Sequence, residues 1–408
     1  MKILVLNAGS SSQKSCLYEL PVAPSTQQIL EPLWEAMIDW TVDAQHGVLS
    51  IKSRGHKQQQ ILESTDRPAG LASMLATLVD QEHGVLNDLS EIDAVGHRVV
   101  HGGTEYAQST LITPAVKATI AALIPLAPNH NPAHIEGIEA IETILGSVPQ
   151  FAVFDTAFHR TIPPAAACYA LPQNLTEAGI RRYGFHGTSH RYCAQRAATI
   201  LGQPLASLKL ITCHIGNGAS LAAIAEGKCI DTTMGFTPLE GLMMGTRSGS
   251  LDPAILIFLL ENQGYTAKEL NELLNKKSGL LGVSGLSADL RVLLEAQAQG
   301  HSSAQLAVEM YIHRFRSCLG QMVAVLGGLD TLVFTAGVGE NSAFIRQQVC
   351  ANFAFLGLEL DPQLNQASPR DQLISAPHSR VRVLIVHTEE DWAIACEGWH
   401  LLAPGGQQ

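Results

Sequence analysis

The sequence has little charge and few aromatic side chains. Only 15% of its 408 residues are Asp, Glu, Lys or Arg, and 5% are Phe, Trp or Tyr. Positive charge is the scarcer sign: 26 Lys and Arg stand against 37 Asp and Glu, a formal net charge of −11. That balance argues against a non-specific nucleic-acid or anionic-membrane surface. An anionic substrate would need local arginines working against the global field. The eight cysteines form no C-x-x-C pair. Residues such as Cys16, Cys213, Cys318 and Cys396 sit in apolar stretches and read as buried, reduced thiols of a cytoplasmic protein. The longest apolar runs, near residues 254–260 and 322–326, are too short to cross a bilayer. The start, MKILVLNAGSSS, holds one Lys and turns polar at Asn7, the pattern of a strand and not of a signal peptide. The P-loop pattern G-x-x-x-x-G-K-[ST] is also absent.

What is present suits a compact α/β chain. It is 46% hydrophobic with 35 glycines, and its length favours two domains over one. Residues 2–6 and 14–20 read as strands of a hairpin around a Gly/Ser loop. The pattern returns later: strands over 208–213 and 220–225 flank a glycine turn, and a third follows at 229–233. The recurrence predicts two copies of one architectural unit. Further strands, at 151–154, 331–335 and 381–386, end at polar or glycine positions, the last two leading into helical patterns. Asn131-Pro132 reads as a cap and first turn of a helix. Residues 304–326 form a long helical pattern. Ligands of open α/β sheets gather beyond the carboxyl ends of strands. Chemistry is therefore expected at Asn7, Asp155, 214–218, 337–341 and Glu390.

Each of these positions has a chemical and a plain reading. The loop 7–12 with Lys14 offers backbone N–H groups, hydroxyls and a cation, which suits phosphate; it also suits an ordinary hairpin turn. The glycines around Asn217 permit close backbone approach to a ligand. Gly337 to Asn341 follows a strand and opens a helix; it reads either as close backbone approach to a nucleotide at the helix N-terminus or as a tight βα turn with Asn341 or Ser342 as cap. Arg98 and Arg247 stand among small and apolar residues with no carboxylate one helical turn away. Each needs a non-local anion, either a ligand or a distant Asp or Glu. Asp155 and Glu390 can hold Mg²⁺ through one or two oxygens; Glu390 also fits the first turn of a helix capped by Thr388. The pairs His97/His101 and His186/His190 have i,i+4 spacing but lack the Glu and third ligand of a zinc site. His186 reads as a hydrogen-bond donor to a transition state.

Taken together, NAGSSSQKSCLY (7–18), GHRVVHGG (96–103), LAPNHNP (126–132), FDTAFH (154–159), YGFHGTSH (183–190), HIGNGAS (214–220), DTTMGFTPLEGLMMGTRSG (231–249), GLSADLR (285–291), FTAGVGEN (334–341) and HTEE (387–390) resemble the acetate kinase family, in order and over the whole length. The resemblance implies a duplicated actin-like (ribonuclease H-like) ATPase fold with an interdomain cleft. Residues 1–155 plus 389–408 would form the acid- and metal-site domain, and 156–388 the nucleotide-binding domain. It implies a cytoplasmic homodimer and Mg²⁺-dependent phosphoryl transfer between ATP and acetate, giving ADP and acetyl phosphate, with Mn²⁺ as a substitute metal. Position by position, Asn7 and Glu390 resemble metal-site residues and Lys14 an ATP contact. Arg98 resembles the acid-binding arginine, Asp155 a catalytic carboxylate, and His186 and Arg247 transition-state stabilisers. Val100, Leu126, Phe185 and Pro238, with His130, match the pocket around the acid. His214, Ile215, Gly216, Asn217 and Gly218 resemble nucleotide contacts, as do Asp289, Leu290 and Arg291, and Gly337, Val338, Gly339, Glu340 and Asn341. A propionate or other short-chain acid kinase is the near alternative, and a non-catalytic actin-like ATPase module the distant one.

Overall fold

A computed structural model describes residues 1–9, 12–24, 29–41, 46–128 and 130–403. Ser10 and Ser11 of the first loop, Asn129 of LAPNHNP, and the last five residues of the acid-site domain, 404–408, lie outside the described residues. Two compact units are present: Met1–Phe158 with Glu389–Gln408 (unit 1), and His159–Thr388 (unit 2).

Unit 1 is built on β1 (Lys2–Ala8), β2 (Ser12–Glu19), β3 (Trp34–Asp39), β4 (Gly47–Ser53), β5 (His56–Leu62), β6 (Ala94–Val99), β7 (Thr110–Leu111) and β8 (Gln150–Phe154), in the sheet order β5-β4-β3-β2-β1-β6-β8-β7. β1 is central and aliphatic; Ile3, Leu4 and Val5 have no exposed surface. β4 alternates buried and exposed positions, as a strand covered on one face does. The polar β5, HKQQQIL, is exposed along all but its last residue, which suits an edge. One core packs Leu4, Leu17, Trp34 and Leu49 with Met74 and Ile141, from the helices Arg67–Ala76 and Asn131–Leu145. The helix Glu390–Leu402 packs against β1 and β6. Its approach requires Gly96 and Gly398: a Cβ on the first would lie 2.5 Å from Phe151 Cζ, and on the second 2.2 Å from the same atom.

Unit 2 is built on β9 (Leu210–Ile215), β10 (Ala219–Ala225), β11 (Lys228–Thr232), β12 (Thr331–Thr335), β13 (Gln372–Leu373) and β14 (Arg382–Ile385), ordered β11-β10-β9-β12-β14-β13. Antiparallel pairings, four in unit 1 and two in unit 2, precede two parallel ones in both sheets, and each closes on a short antiparallel strand. The duplication expected from the recurring strand–glycine–strand pattern is thus a duplication of topology. Unit 1 adds the β4–β5 hairpin at one edge. The helix Ser302–Leu326 buries Phe315, Leu319 and Met322.

Three local expectations change. Residues 336–341 are not a turn but a short helix, Ala336–Asn341, which starts directly after β12. Glu340 makes this possible, because its carboxylate accepts the Ala336 N–H at 2.8 Å. Ser342 then caps the helix Ala343–Ala351. At the Asn131–Leu145 helix the cap position falls on His130, since the Asn131 side chain is drawn away to donate to the Ile120 carbonyl at 3.1 Å. Glu389, not Thr388, occupies the cap position before Glu390; the Thr388 hydroxyl instead donates to Ser189 Oγ at 3.0 Å. Among the described residues no helix is long and apolar enough to cross a membrane.

Candidate active site

In unit 1 the parallel register sets the geometry. Leu6 pairs with His97, and Arg98 with Val153. Asn7, Arg98 and Asp155 therefore stand side by side at the carboxyl ends of β1, β6 and β8. Across the hairpin Asn7 is opposite Lys14. Arg98 is gripped by Asp155 through two nitrogens: Nη2 donates to Oδ2 at 2.7 Å, and Nε to Oδ1 at 3.1 Å. The distant-carboxylate reading of Arg98 is therefore what the structure contains, with the partner 57 residues away. Arg98 Nη1 also donates to Asn7 Oδ1 at 3.2 Å. Burial would lower the arginine's pKa, but the charges of Asp155, Glu390 and Asp391 outweigh it and hold the guanidinium ionised.

Asp391 completes the network and was missed in the sequence. It is buried, accepts from Asn7 Nδ2 at 3.1 Å, and pairs with Lys14 Nζ at 2.6 Å. Burial alone would lower the Lys14 pKa; Asp391 reverses the sign and raises it. The only sequence signal was the acidic run 389–391 at the start of a helix after a strand. Val100 is buried just past β6, and its N–H donates to His134 Nε2 at 3.3 Å. Leu126 ends a short 3₁₀ turn before His130. His97 and His101 do not share a ligand site: His97 Nε2 meets Gln150 Oε1 at 2.7 Å, while His101 Nδ1 accepts the Gly103 N–H.

Unit 2 gathers a different set. His186 precedes the helix Gly187–Leu201 in the left-handed conformation (φ 58°), which non-glycine residues adopt rarely. Its ring stacks on His214 at 4.1 Å. Its Nδ1 lies 2.8 Å from Ser220 Oγ. A Cβ added to Gly218 would sit 3.5 Å from Arg247 Nη2 and 3.6 Å from His186 Cε1, so that glycine keeps open the space beside both groups. Arg247 Nη1 donates to the Pro238 carbonyl at 2.9 Å. Among the described residues Arg247 has no carboxylate partner, and burial alone lowers its pKa. Phe185 is buried, with its carbonyl taken by His159 Nε2 at 2.9 Å.

A cavity of about 980 Å³ lies wholly within unit 2, the size range of small-molecule sites. Gly216, Asn217, Asp289, Leu290, Arg291, Gly337, Val338 and Asn341 line it. Tyr311, Phe344 and Ser368 also line it; they come from helices and turns without glycine signals. The remaining nucleotide candidates lie off this lining. His214 and Ile215 end β9, with His214 Nδ1 on Ser189 Oγ at 2.8 Å. Gly339 is the buried residue of the Ala336–Asn341 helix, and a Cβ there would lie 3.5 Å from the Cys213 carbonyl oxygen. Glu340 is turned toward Ala336 and His387. Lys14 belongs to unit 1.

The doubled sheet order, with ligand-type residues at the strand ends of both copies, is that of the actin-like ATPase fold. The structure matches that of Porphyromonas gingivalis acetate kinase with a TM-score of 0.89 at 44% identity, covering 98% of this chain and 99% of that one. It matches a propionate kinase from Francisella tularensis with a TM-score of 0.88 at 40% identity, covering 97% and 98%. An acetate kinase of Synechocystis sp. is 68% identical over 410 residues, which is 100% of this chain and 99% of the relative. The profile of the acetokinase family matches residues 2–396. The chain belongs to the acetokinase family.

Proposed function

We propose that this protein catalyses the reversible, Mg²⁺-dependent transfer of the ATP γ-phosphoryl group to acetate, giving acetyl phosphate and ADP by direct in-line attack. The observation that carries the reading is Arg247, a partly buried guanidinium beside Gly218 and His186 with no carboxylate partner among the described residues. Such a cation suits a phosphoryl group whose charge peaks during transfer. The acetate carboxylate is already a deprotonated nucleophile, so no general base is required. Asp155 then orients Arg98 on the acid and helps position metal, and does not transfer a proton. Within unit 1 we assign Val100, Leu126 and His130 to the acid, and within unit 2 the cavity to the nucleotide.

The oxygens of Asn7, Asp155 and Glu390 are hard donors of the kind Mg²⁺ or Mn²⁺ takes; Asn7 and Asp155 stand at strand ends beside Arg98, and Glu390 opens the helix Glu390–Leu402. When bound, the ion neutralises charge on the phosphate oxygens. We place the protein in the cytoplasm as a homodimer. The helix Ala254–Asn262, which leaves Ile255, Ile257 and Phe258 about half exposed, supports a second copy as its cover. Phe258→Glu should lower the mass seen by sedimentation.

Incubation with ATP and acetate, propionate, butyrate or no acid, trapping acyl phosphate with hydroxylamine, tests the activity. Hydroxamate with acetate is expected. ADP release without acid would reject the reading in favour of an ATPase module. The propionate reading has the Francisella match behind it, which is weaker than the acetate kinase matches; equal kcat/KM for acetate and propionate would adopt it, because a methylene is worth only ~1–3 kcal/mol of discrimination.

A further inference from the structure

Ser220 of β10 and Thr212 of β9 share one neighbour, His190 of the Gly187–Leu201 helix. Ser220 Oγ lies 2.8 Å from His186 Nδ1 and 2.7 Å from His190 Nε2. Thr212 Oγ1 lies 2.7 Å from His190 Nδ1. His190, Ser220 and Thr212 are all 0% exposed. Each hydroxyl has one hydrogen to give, and a neutral imidazole has one N–H. His190 is neutral, since burial pushes its pKa well below the ordinary value and His159 and His214 push the same way.

The chain of bonds can then run in two directions. Starting from Thr212, its hydroxyl donates to His190 Nδ1, His190 Nε2–H donates to Ser220, and the Ser220 hydroxyl donates to His186 Nδ1. Every hydrogen is used. In the reverse direction His186 Nδ1–H donates to Ser220, Ser220 to His190 Nε2, and His190 Nδ1–H to Thr212. The Thr212 hydrogen is then buried with no acceptor among the described residues, the costly outcome for a polar group.

We propose that Thr212, His190 and Ser220 form a directional hydrogen-bond chain that fixes His186 as the Nε2–H tautomer, so that a neutral ring presents a permanent donor. This rests on the reading of His186 as a donor to the transferred phosphoryl group. Thr212, His190 and Ser220 act through His186 and are positioning residues. The left-handed backbone of His186 serves the same end, because it fixes where the ring emerges. A donor supplied by a tautomer needs no proton uptake before each turnover.

The test combines side-chain ¹⁵N NMR with kinetics. In the wild-type protein, long-range ¹⁵N–¹H correlation at neutral pH should show His186 with bare Nδ1 and protonated Nε2. Thr212→Val keeps the shape and removes the donor. It should mix the tautomers and lower kcat roughly tenfold, about the worth of one hydrogen bond, with both KM values held. Thr212→Ser should restore kcat and the single tautomer. A wild-type His186 that is protonated on Nδ1, or doubly protonated, overturns the chain, and needs no variant to fold. So does a Thr212→Val protein with unchanged tautomer and kcat. If His186→Ala kept full turnover, the phosphoryl-donor reading would fail instead, and the NMR result would still decide the direction of the chain.

Discussion

In unit 1 the strands β1, β6 and β8 end in Asn7, Arg98 and Asp155, side chains that carry charge or a strong dipole and are locked to one another. In unit 2 the corresponding strands β9, β12 and β14 lead into Gly216, Ala336 and Val386. There the polar work falls to backbone, to histidines and to Arg247. A repeated sheet order thus determines where a ligand is presented and leaves the chemistry open. A small acid and a metal ion call for point charges held in register. A nucleotide calls for room and close backbone approach, which small residues around a cavity of about 980 Å³ provide.

Arg98 and Arg247, both partly buried, give the strongest way to break this comparison. Arg247→Ala should lower kcat by ~10²–10³ with a smaller change in KM for ATP, since it removes the proposed transition-state donor. It should cost little stability, because no carboxylate loses a partner. Arg98→Ala should behave otherwise. Asp155, 1% exposed, loses the guanidinium that grips it through two nitrogens, so a loss of ~3–5 kcal/mol is expected along with weaker acid binding. Steady-state kinetics and thermal melts of both variants check this. Equal destabilisation by the two would mean that Arg247 has a structural anion after all.

Glycines sharpen the same contrast at smaller effect. Gly218→Ala places a methyl at ordinary contact distance, 3.5–3.6 Å, from Arg247 and His186. The protein should fold normally yet lose ~10–100-fold in kcat, because the methyl occupies the space beside both groups. In unit 1, Gly96→Ala meets Phe151 Cζ at 2.5 Å and Ile394 Cγ2 at 2.8 Å. It should cost ~1–3 kcal/mol of stability by overpacking, with kcat little changed in the folded fraction. Normal turnover in Gly218→Ala would refute the assignment of that space to the phosphoryl group.

Histidines supply a pH test common to both units. Burial lowers the pKa of His97 and His101 in unit 1, and of His159 in unit 2, from 6.5 to about 4. Each is neutral when folded and takes up a proton more readily when unfolded. Stability should therefore be steady above pH 6.5 and fall between 6.5 and 4, by at most about 1.4 kcal/mol per pH unit for each histidine. Melts across that range should show His97→Gln with a shallower slope than wild type. An unchanged slope would remove His97 from the account.

Much of this was legible in the sequence, for physical reasons that vary by residue. Asn7, Asp155 and Gly216 could be placed because aliphatic strands stop abruptly at polar or glycine residues. Arg98 and Arg247 could be seen to need anions, but nothing local says that one is met by Asp155 and the other is not. Asp391 was hidden because its partner Asn7 lies 384 residues away. The Ala336–Asn341 helix was hidden by its two glycines, which have poor helix propensity; the Glu340 carboxylate that starts it is a tertiary detail. Ser220, though part of HIGNGAS, and Thr212 gave no sign of this role, since buried strand hydroxyls show their purpose only once His190 lies across them.

Arg291 completes the series of arginines with the smallest expected effect. It lines the unit 2 cavity, as Arg98 and Arg247 do not. Its side chain is 87% exposed, and its Nη2 is already met by Asp289 at 2.6 Å. Water and salt screen an exposed charge, and a guanidinium with its own counterion has little attraction left for a phosphate. Arg291→Ala should therefore raise KM for ATP by less than about threefold and leave kcat unchanged, with the effect shrinking further at high salt. The measurement is KM for ATP at low and high ionic strength. A loss comparable to that of Arg247→Ala would mean that Arg291 abandons Asp289 for the nucleotide, and that backbone and open space alone do not explain what unit 2 binds.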